Sequence, residues 1–548
     1  MDFTDKPAAS RDSNSRDTFL VQPHKLGYPR YLLKGNGNTW PPSEDKREGS
    51  EPVQHSDTGQ NAVVILGAGP AGLTAAYELI RHGKSTTILE KLSMPGGLAR
   101  TEQYRGFRFD IGGHRFFTRV GVVAKMWRDI LGEEFLARPR LSRILYRKQF
   151  FKYPLDPMET LSRLGIWESV QCLASYVKAK LSRKSPETGD LESWLISRFG
   201  HRLYKTFFQT YTEKVWGVPC RSIQAEWAAQ RIRGLSLWTL IRETVRSLTG
   251  HSANTITTLI KEFDYPRLGP GQMWRETQRY IEERGCQVLL NTPVTRIRWD
   301  DSGVRSVLAG GVEYFAGQFL STLAIRDFIY ALDPAPPPEV RAAAGKLQYR
   351  DFITVALIIR QAEVFPDNWL YIHEPSVKVG RIQNYKNWSP DMVPDVAFTC
   401  LGLEYFCFEN DDLWRASDTQ LIARAKSDLH QLGLCAREKV EDGIVIRVPK
   451  AYPVYNSGYR DALRILRDFL ANRLPNLQSI GRNGMHRYNN QDHSMLTGML
   501  AARNILGLGP FNLWEVNADQ DYHEDGFRLT EAEIQELELS QPPVPLTE

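Results

Sequence analysis

The clearest hydrophobic pattern in the chain is a short apolar run, followed directly by a glycine-rich turn and an apolar stretch with helical spacing. Val63-Val64-Ile65-Leu66 predicts a buried strand, and residues 73–79 predict a helix that ends at Gly83. A second apolar run, Thr86-Thr87-Ile88-Leu89, predicts the next strand. Strand, helix and parallel strand within about thirty residues form a βαβ unit, which predicts an α/β domain of the Rossmann type.

After this unit the apolar positions change to a loose helical spacing. They include Trp127, Leu131, Leu161, Leu164, Trp194, Phe199 and Phe207. We therefore predict a mainly helical subdomain over residues 118–262. Residues 269–273 predict the start of another helix, and residues 287–290 and 294–297 predict further strands of the Rossmann-type domain.

A proline-rich stretch at residues 333–338 predicts a rigid loop and a border between modules. Beyond it, residues 352–359 and 396–407 predict strands of an antiparallel sheet. The expected fold is thus α/β, or α+β over the whole chain. The predicted segments are an arm that is disordered or loosely docked (1–60), three parts of the Rossmann-type domain (61–117, 263–332 and 461–508), the helical subdomain (118–262), an antiparallel substrate-domain sheet (339–460) and a C-terminal extension (509–548).

Composition narrows the classes of protein that this chain can represent. With 548 residues, 42% of them hydrophobic, the chain can form more than one packed unit. The formal net charge of +5 is small for this length and does not indicate a nucleic-acid-binding protein. The six cysteines form no C-x-x-C pair, so we expect free thiols in a reducing compartment and no metal site. Because no apolar run has the length of a membrane span and no signal peptide is visible, we expect a cytoplasmic protein.

The turn after the first strand has the spacing of a dinucleotide-binding loop. Gly67 allows the tight turn, Gly69 allows close approach to a pyrophosphate, and Gly72 allows helix and strand to pack closely. The helix that follows directs its unpaired amide groups at the phosphates. Glu90 stands at the tip of the second strand, where a carboxylate can accept hydrogen bonds from ribose hydroxyls.

Two segments after this acid carry a resemblance to known flavoproteins. Gly96-Gly97-Leu98-Ala99-Arg100-Thr101 resembles the GG-x-x-R-T segment of the amine-oxidase and protoporphyrinogen-oxidase group, in which it runs beside FAD. This resemblance implies that FAD is the dinucleotide and that Gly97 and Arg100 contact it. The Gly-Gly-His114 step resembles the flavin-proximal segment of UDP-galactopyranose mutases. The alternatives are a surface ion pair for Arg100 and a structural loop histidine for His114.

Four more segments resemble the UDP-galactopyranose mutase family in the same order along the chain. They are Lys152-Tyr153-Pro154-Leu155, residues 211–217 (Y-T-E-K-V-W-G), Ala451-Tyr452-Pro453-Val454 and residues 481–492 (G-R-N-G-M-H-R-Y-N-N-Q-D). Each segment is short, and their order and spacing make the resemblance specific. The chain is similar to this family from residue 61 to about residue 505, with long unmatched stretches between the segments.

The resemblance implies a set of substrate-binding residues. Trp216 would line a uracil site, although a core position is the alternative. Arg482 matches an arginine that binds the substrate diphosphate, and Arg231 matches a second one if one inserted residue is allowed. Tyr452 and Tyr488 match tyrosines that hold the diphosphate near the flavin. A pyrophosphate is well bound by arginines and phenol donors together, so the residue types suit this ligand.

The same resemblance names candidate catalytic residues and one departure. His114, Tyr452, Tyr488 and Asn490 are the expected catalytic positions, and Gly481 is expected at the cofactor. The family has an aspartate where this chain has Asn490, and an amide there would bind a different pattern of sugar hydroxyls. The chain is therefore identified as a divergent relative of the mutases.

Two activities follow from these resemblances. The first is isomerisation of a nucleotide-diphosphate sugar between pyranose and furanose forms through N5 of the reduced flavin, which needs an external reductant such as NAD(P)H. The second is an FAD-dependent oxidoreductase of the amine oxidase, protoporphyrinogen oxidase or desaturase type. A non-catalytic FAD-binding partner is a third class. We expect a small-molecule substrate and no nucleic acid, while the sugar, the nucleotide and the oligomeric state stay open.

Overall fold

A computed structural model describes residues 54–57, 61–181 except 119, 154 and 156, and then residues 190–223 and 262–517. The strands of these residues are β1 Gln54–Asp57, β2 Val63–Leu66, β3 Thr86–Leu89, β4 Thr101–Tyr104, β5 Phe107–Asp110, β6 Phe135–Pro139, β7 Ser142–Tyr146, β8 Gln149–Lys152, β9 Glu262–Pro266, β10 Gln287–Leu289, β11 Val294–Asp300, β12 Gly303–Ala309, β13 Val312–Phe315, β14 Gln318–Ser321, β15 Leu332–Asp333, β16 Gln348–Ile359, β17 Trp369–Ile372, β18 Arg381–Asn384, β19 Thr399–Cys407, β20 Val440–Val454 and β21 Leu477–Ser479.

The helices of the described residues connect these strands. The α-helices span Pro70–Arg81, Gly121–Leu131, Pro157–Leu164, Ile166–Leu181, Leu191–Leu203, Thr210–Trp216, Gly271–Glu282, Ile325–Ala331, Pro338–Lys346, Tyr385–Trp388, Asp412–Arg415, Asp418–Gln431, Tyr459–Arg473, Gly481–Gly484 and Gln491–Ile505, and a π-helical segment covers Tyr204–Gln209.

A parallel sheet of five strands, in the order β10-β3-β2-β14-β21, forms the centre of the Rossmann-type domain. Strands β2 and β3 come early in the chain and lie inside this sheet, and both are fully buried. Their apolar runs predict this burial for a parallel sheet that is covered on both faces. The helix Pro70–Arg81 crosses between them, so the predicted strand, helix and strand are confirmed. Strands β14 and β21 join the sheet from much later positions in the sequence.

The helix Pro70–Arg81 packs against the late helix Gln491–Ile505 beside this sheet. A buried ion pair between Glu78 and Arg503, 2.7 Å apart, joins the two helices, and each side chain is only 3% exposed. The close approach is set by Gly498, where a Cβ atom would overlap the main-chain oxygen of Ala71. This packing fixes the start of the first helix, which is where the dinucleotide-binding loop lies.

A second sheet has seven strands in the order β20-β16-β19-β18-β17-β7-β8. All neighbouring pairs are antiparallel except β17 and β7, and the long pair of β16 and β19 confirms the two predicted strands there. Strands β7 and β8 come from the stretch that the spacing predicts to be helical. Ile144 and Phe151 of that stretch are buried in the sheet, and β7 finds its strand partners in β8 on one side and in the distant strand β17 on the other.

A third sheet has the strand order β1-β13-β12-β11-β15. It contains β11, which the sequence pattern assigned to the Rossmann-type domain together with β10. Residues 287–289 join the parallel sheet as predicted, whereas β11 pairs antiparallel with β12 in this separate sheet. The reason is visible in β11, where exposed residues alternate with buried Ile297 and Trp299, a pattern that suits a sheet with one solvent face. At the other edge Gln54–Asp57, from the predicted arm, pairs with β13.

Candidate active site

The glycine-rich loop after β2 makes a tight turn that only glycine fits. Gly67 has a φ of +108°, and a Cβ atom on Gly72 would overlap the main-chain oxygen of Gly67. Gly69 differs, because a Cβ atom there would meet only the Cα atom of Gly97 at 3.9 Å. Gly97 itself has a φ of +53°, so the two loops approach each other through glycines. The gap beside Gly69 is therefore suited to a ligand rather than to protein side chains.

The helix that starts at Pro70 leaves its first amide groups available. Its N-cap residue is Gly69, no side chain caps it, and the first turn has no acidic residue. Such an end presents unpaired amides and the positive end of the helix dipole to an anion. Gly481 packs its Cα against this turn, since a Cβ atom there would lie 3.1 Å from the Cβ atom of Ala71. Gly481 also has a φ of +77°, so its position next to the phosphate loop depends on glycine.

Glu90 is fixed at the tip of β3 by two main-chain amides. Its carboxylate accepts from the amide of Ala68 at 2.7 Å and from that of Leu92 at 2.9 Å, and the residue is 6% exposed. A carboxylate has about four lone-pair sites, so two acceptor positions stay available for hydroxyl groups. This is the arrangement expected for binding of an adenosine ribose.

The GG-x-x-R-T segment is tied to the rest of the domain by its last two residues. Arg100 is 9% exposed, donates to the Gly97 main-chain oxygen at 2.9 Å and pairs with Glu102 at 2.6 Å. Thr101 donates to Asp110 at 2.8 Å and accepts from the amide of Gly271 at 2.9 Å. The segment thus runs from Gly97, beside the glycine-rich loop, to the amide of Gly271. Together with Glu90 and the start of the helix Pro70–Arg81, the loop could hold the adenosine and pyrophosphate of FAD.

A second group of polar residues lies where the loop after β21 meets β20. The rings of Tyr452 and Tyr488 stack with centroids 5.5 Å apart and an interplanar angle of 12°. The guanidinium of Arg482 lies 5.5 Å from the first ring and 4.8 Å from the second. It donates from Nε to the Asn489 main-chain oxygen at 2.9 Å and from Nη1 to that of Ala451 at 3.1 Å. Arg482 is thereby held in one orientation next to both tyrosines.

Two neighbouring strands add a buried ion pair that sequence reasoning missed. Arg381 on β18 is the cross-strand partner of Glu404 on β19, and its Nη2 atom lies 2.7 Å from the carboxylate. Gln383 donates to the same carboxylate at 2.9 Å, and the Arg381 Nη2 atom lies 3.5 Å from the Tyr452 hydroxyl. The signal in the sequence was a single glutamate inside the apolar strand Leu-Gly-Leu-Glu-Tyr-Phe-Cys.

The Gly-Gly-His segment lies directly on this pair of strands. A Cβ atom on Gly113 would lie 2.9 Å from the amide nitrogen of Gln383, and one on Gly112 would lie 3.9 Å from Glu404. Burial, with the positive charges of Arg482, Arg381 and Arg100 as further causes, lowers the pKa of His114 to about 3. His114 is therefore a neutral imidazole in a positively charged surrounding, able to donate one hydrogen bond and accept another.

Trp216 ends the helix Thr210–Trp216 and lies in the core of the helical part, 7% exposed, with its ring 6.5 Å from that of Tyr452. Arg350 on β16 fixes this helix end, because it donates to the main-chain oxygens of Val215 at 3.0 Å and of Phe406 at 3.0 Å. The tryptophan thus has a packing role and also borders the tyrosine pair.

The remaining predicted residues lie differently. Asn490 is exposed at the N-cap of the helix Gln491–Ile505, two residues from Tyr488. Arg231 lies outside the described residues.

Within the described residues no group of histidine, cysteine and acidic side chains is arranged to hold a metal ion. In the same residues no helix is both long and apolar enough to cross a membrane.

The chain matches one protein-family model and superposes on solved structures of the same fold. A family model described as flavin containing amine oxidoreductase matches residues 70–506. The structure of a reduced UDP-galactopyranose mutase superposes with a TM-score of 0.73 at 23% identity, over 86% of this chain and 100% of that chain. An Exiguobacterium sp. 255-15 protein assigned as a protoporphyrinogen oxidase superposes with a TM-score of 0.63 at 19% identity, over 82% and 99%. At these identities the superpositions show the fold alone.

Sequence relatives match over short segments. Phytoene dehydrogenase of Streptomyces griseus is 43% identical over 101 residues, which is 18% of this chain and 18% of that protein. An L-amino-acid oxidase of Sistrurus catenatus edwardsii is 31% identical over 117 residues, 19% of this chain and 23% of that protein. The chain thus spans less than a quarter of the length of these curated relatives.

Proposed function

The chain belongs to the family of flavin containing amine oxidoreductases, and we propose that its FAD serves to isomerise the sugar ring of a nucleotide-diphosphate sugar. FAD dependence follows from the family and from the fit of the loop, the helix end and Glu90 to this cofactor. The nucleotide sugar is the part that we infer from the second group of residues. A cytoplasmic location suits it, because all six cysteines are free and buried.

One observation supports this substrate most strongly. Arg381 and Arg482, from segments about one hundred residues apart, both lie next to the Tyr452 ring or its hydroxyl. Two guanidinium groups on either side of the Tyr452 contacts suit a diphosphate, because the N–H groups that do not bind Glu404 or the main chain can form charge-assisted hydrogen bonds to phosphate oxygens. Arg381 adds a guanidinium group that the sequence-based reasoning did not name. The expected role of Arg231 stays a prediction, because that residue lies outside the described residues.

The charges of the residues around Tyr452 and Tyr488 are consistent with an anionic ligand. Glu404 compensates Arg381, whereas Arg482 donates to two main-chain oxygens and has no ion-pair partner among the described residues. With His114 neutral, this charge arrangement leaves one positive charge next to the stacked tyrosines. A diphosphate bound there would be neutralised in part by Arg482 and held by both phenols.

In the proposed reaction the cofactor and the protein side chains have different roles. Bound FAD in its reduced form would supply the nucleophile for the anomeric carbon, so no side-chain nucleophile would be needed. The chain's own residues bind the diphosphate leaving group, exclude water with the Tyr452 and Tyr488 rings, and present the neutral His114 to a donor or an acceptor at the flavin side. Asn490, exposed near Tyr488, would meet a sugar hydroxyl without adding charge.

A second candidate is oxidation of an amine, a porphyrinogen or a polyene by FAD. An aromatic wall favours it: Tyr371 lies 4.5 Å from Tyr153 and 5.6 Å from Tyr211, and Tyr211 stacks on His373 at 4.8 Å. Such a wall suits an apolar substrate better than a sugar. The curated relatives that match short segments of this chain are oxidoreductases by name.

Calorimetric titration of UDP into the dithionite-reduced protein separates the two candidates. We expect binding by the wild type, and we expect Arg482→Ala to weaken it by about 1.5 to 3 kcal/mol, as for a lost hydrogen bond to a charged group. Arg482→Lys should restore only part, because an ammonium cannot reproduce the planar fork. FAD content, read from the flavin absorbance, is the control for folding.

A panel of nucleotide sugars then tests turnover, with chromatography of the sugar products and NADPH or dithionite as reductant. A change of ring size without net oxidation supports the mutase reaction. If UDP and other nucleoside diphosphates all fail to bind the reduced protein, the mutase proposal is wrong. Bleaching of the flavin by an amine or a polyene without other reductant would then establish the oxidoreductase.

A further inference from the structure

The helix Ile166–Leu181 carries apolar side chains on its solvent-facing side. Six of them are exposed by 40% or more: Ile166 at 87%, Trp167 at 75%, Val170 at 53%, Leu173 at 40%, Val177 at 53% and Leu181 at 77%. Single exposed apolar residues are common on protein surfaces, but six on one helix are a continuous patch. We call these six residues the outer stripe.

The spacing of the outer stripe places it on one line along the helix. Five of its members follow each other by three or four residues, so at 3.6 residues per turn they lie on one face. The helix packs on the protein through Cys172 and Tyr176, which are buried on a second face, about 120° around the helix axis from the stripe. The helix is therefore apolar on two faces, and only one of them is used by the fold.

The charges around the outer stripe are positive. At 100° per residue, Lys180 lies on one border of the stripe, with its Nζ atom 5.6 Å from the centroid of the Tyr176 ring, and Lys178 lies beyond the other border. Neither lysine pairs with a carboxylate among the described residues. The one acidic residue of the helix, Glu168, is engaged by Arg202 through two hydrogen bonds of 2.7 and 2.8 Å. An apolar face with a tryptophan near one end and lysines along its borders is the pattern of a helix that lies in a membrane interface.

We propose that the outer stripe docks this protein on an anionic membrane surface, with Lys178 and Lys180 directed at lipid headgroups. A stable contact with a second copy is disfavoured by area. Sixteen residues give a helix of about 24 Å, and a stripe about 10 Å wide offers roughly 240 Å², against roughly 800 Å² per partner in a stable interface. A lipid surface needs no such complementary partner and accepts a stripe of this size.

Flotation with lipid vesicles tests the proposal on the full-length protein. We expect binding to vesicles of phosphatidylcholine with phosphatidylglycerol and much weaker binding to phosphatidylcholine alone. The double variant Val170→Glu, Val177→Glu should bind roughly tenfold less, because two carboxylates then lie in the apolar contact. The matched control is Val396→Glu, an apolar residue that is 78% exposed outside the stripe and should bind like the wild type.

Thiol labelling identifies the occupant of the stripe. All six native cysteines are buried, so a maleimide should react first with an introduced thiol in Val177→Cys or in the control Val396→Cys. We expect both variants to react at similar rates without lipid, and anionic vesicles to protect only Val177→Cys.

Four other results would overturn the proposal. Slow labelling of Val177→Cys in a lipid-free monomer would mean that a segment of this chain, such as residues 224–261, covers the stripe. Slow labelling in a dimer that the double glutamate variant dissociates would mean that a second copy covers it. Failure of the wild type to float with anionic vesicles, or equal flotation with both lipids, would remove the anionic membrane as the partner.

Discussion

Arg381 and Glu404 are cross-strand partners on β18 and β19, and their side chains meet at 2.7 Å with the carboxylate fully buried. The pair lies beneath the Tyr452 hydroxyl, which is 3.5 Å from the Arg381 Nη2 atom. Because Glu404 accepts from Gln383 as well, its charge is compensated and hydrogen-bonded on both oxygens. The orientation of Arg381 toward the candidate diphosphate site is therefore set by the sheet itself.

Replacing one partner of the Arg381–Glu404 pair should lower the free energy of unfolding. We expect Glu404→Leu to lower the free energy of unfolding by about 3 to 5 kcal/mol, because it leaves a buried guanidinium without its counter-charge. Adding Arg381→Met should recover part of the loss, so the double variant is more stable than the sum predicts. Urea unfolding measures each variant. Asp301→Ala, which breaks an exposed pair with Arg473, is the control and should change stability by less than about 1 kcal/mol.

Two glycines of the phosphate loop should behave differently when replaced by alanine. At Gly69 an added methyl group meets only Gly97 at 3.9 Å, so Gly69→Ala should fold. We expect this variant to lose FAD, because in the proposed site the methyl group takes the space that the pyrophosphate needs. At Gly72 the methyl group overlaps the Gly67 main-chain oxygen, so Gly72→Ala should lose folding as well as FAD. Flavin absorbance together with circular dichroism distinguishes these results. Full FAD content in Gly69→Ala would show that the cofactor does not pass this residue.

The pairing of β16 with β20 is interrupted by a bulge at residues 449–451, opposite Asp351, and this bulge gives a third prediction. Asp351 accepts from the Lys450 amide at 2.5 Å and so stabilises a residue with a φ of +55°, and the next main-chain oxygen, at Ala451, accepts from Arg482. We expect Asp351→Ala to destabilise the protein by about 1 to 3 kcal/mol and to weaken UDP binding. Lys450→Gly in that background should restore binding, because glycine adopts this backbone without strain.

Asp327→Ala is the control for the Lys450 side chain, whose Nζ atom lies 2.5 Å from Asp327. It removes that ion pair and leaves the bulge, so UDP affinity should stay unchanged. If Asp327→Ala and Asp351→Ala reduce affinity equally, the bulge is not what positions Arg482.

A buried histidine predicts a pH dependence of stability. Burial lowers the pKa of His486 from 6.5 to about 4, so the unfolded chain takes up a proton between these pH values while the folded protein does not. The stability from the neutral ring is thus present above pH 6.5 and is lost as the pH falls to 4. His486→Asn should remove this linkage, since asparagine tolerates the local φ of +46°.

The measurement is the free energy of unfolding at several pH values in that window. We expect the slope to be smaller in the variant by about 1.4 kcal/mol per pH unit, the value for one proton. His430→Asn, at an exposed position of the helix Asp418–Gln431, is the matched control. An unchanged slope in His486→Asn would show that this ring is not the group responsible.

The local pattern predicted the elements near the dinucleotide loop because strand, turn and helix there are encoded by neighbouring residues. The buried run Val63–Leu66 and the helix from Pro70 needed no distant contact to be recognised. Of the later strands of the parallel sheet, the pattern predicted β10 but did not identify β14 and β21. Strands β14 and β21 are three or four residues long, and such short apolar runs are recognised only by the neighbours that they find.

The residues of the candidate site also divide into those that the sequence predicted and those whose arrangement only the structure revealed. The sequence by itself determined the glycine loop, Glu90 and the Gly-Gly-His segment, because a required φ or a close backbone approach leaves few choices of residue. Only the tertiary structure decided that Arg381 pairs with Glu404 and that Arg482 lies on the stacked Tyr452 and Tyr488. A lone charge in a strand can face water or the interior, and what selects between these is the packing of chain segments that are far apart in sequence.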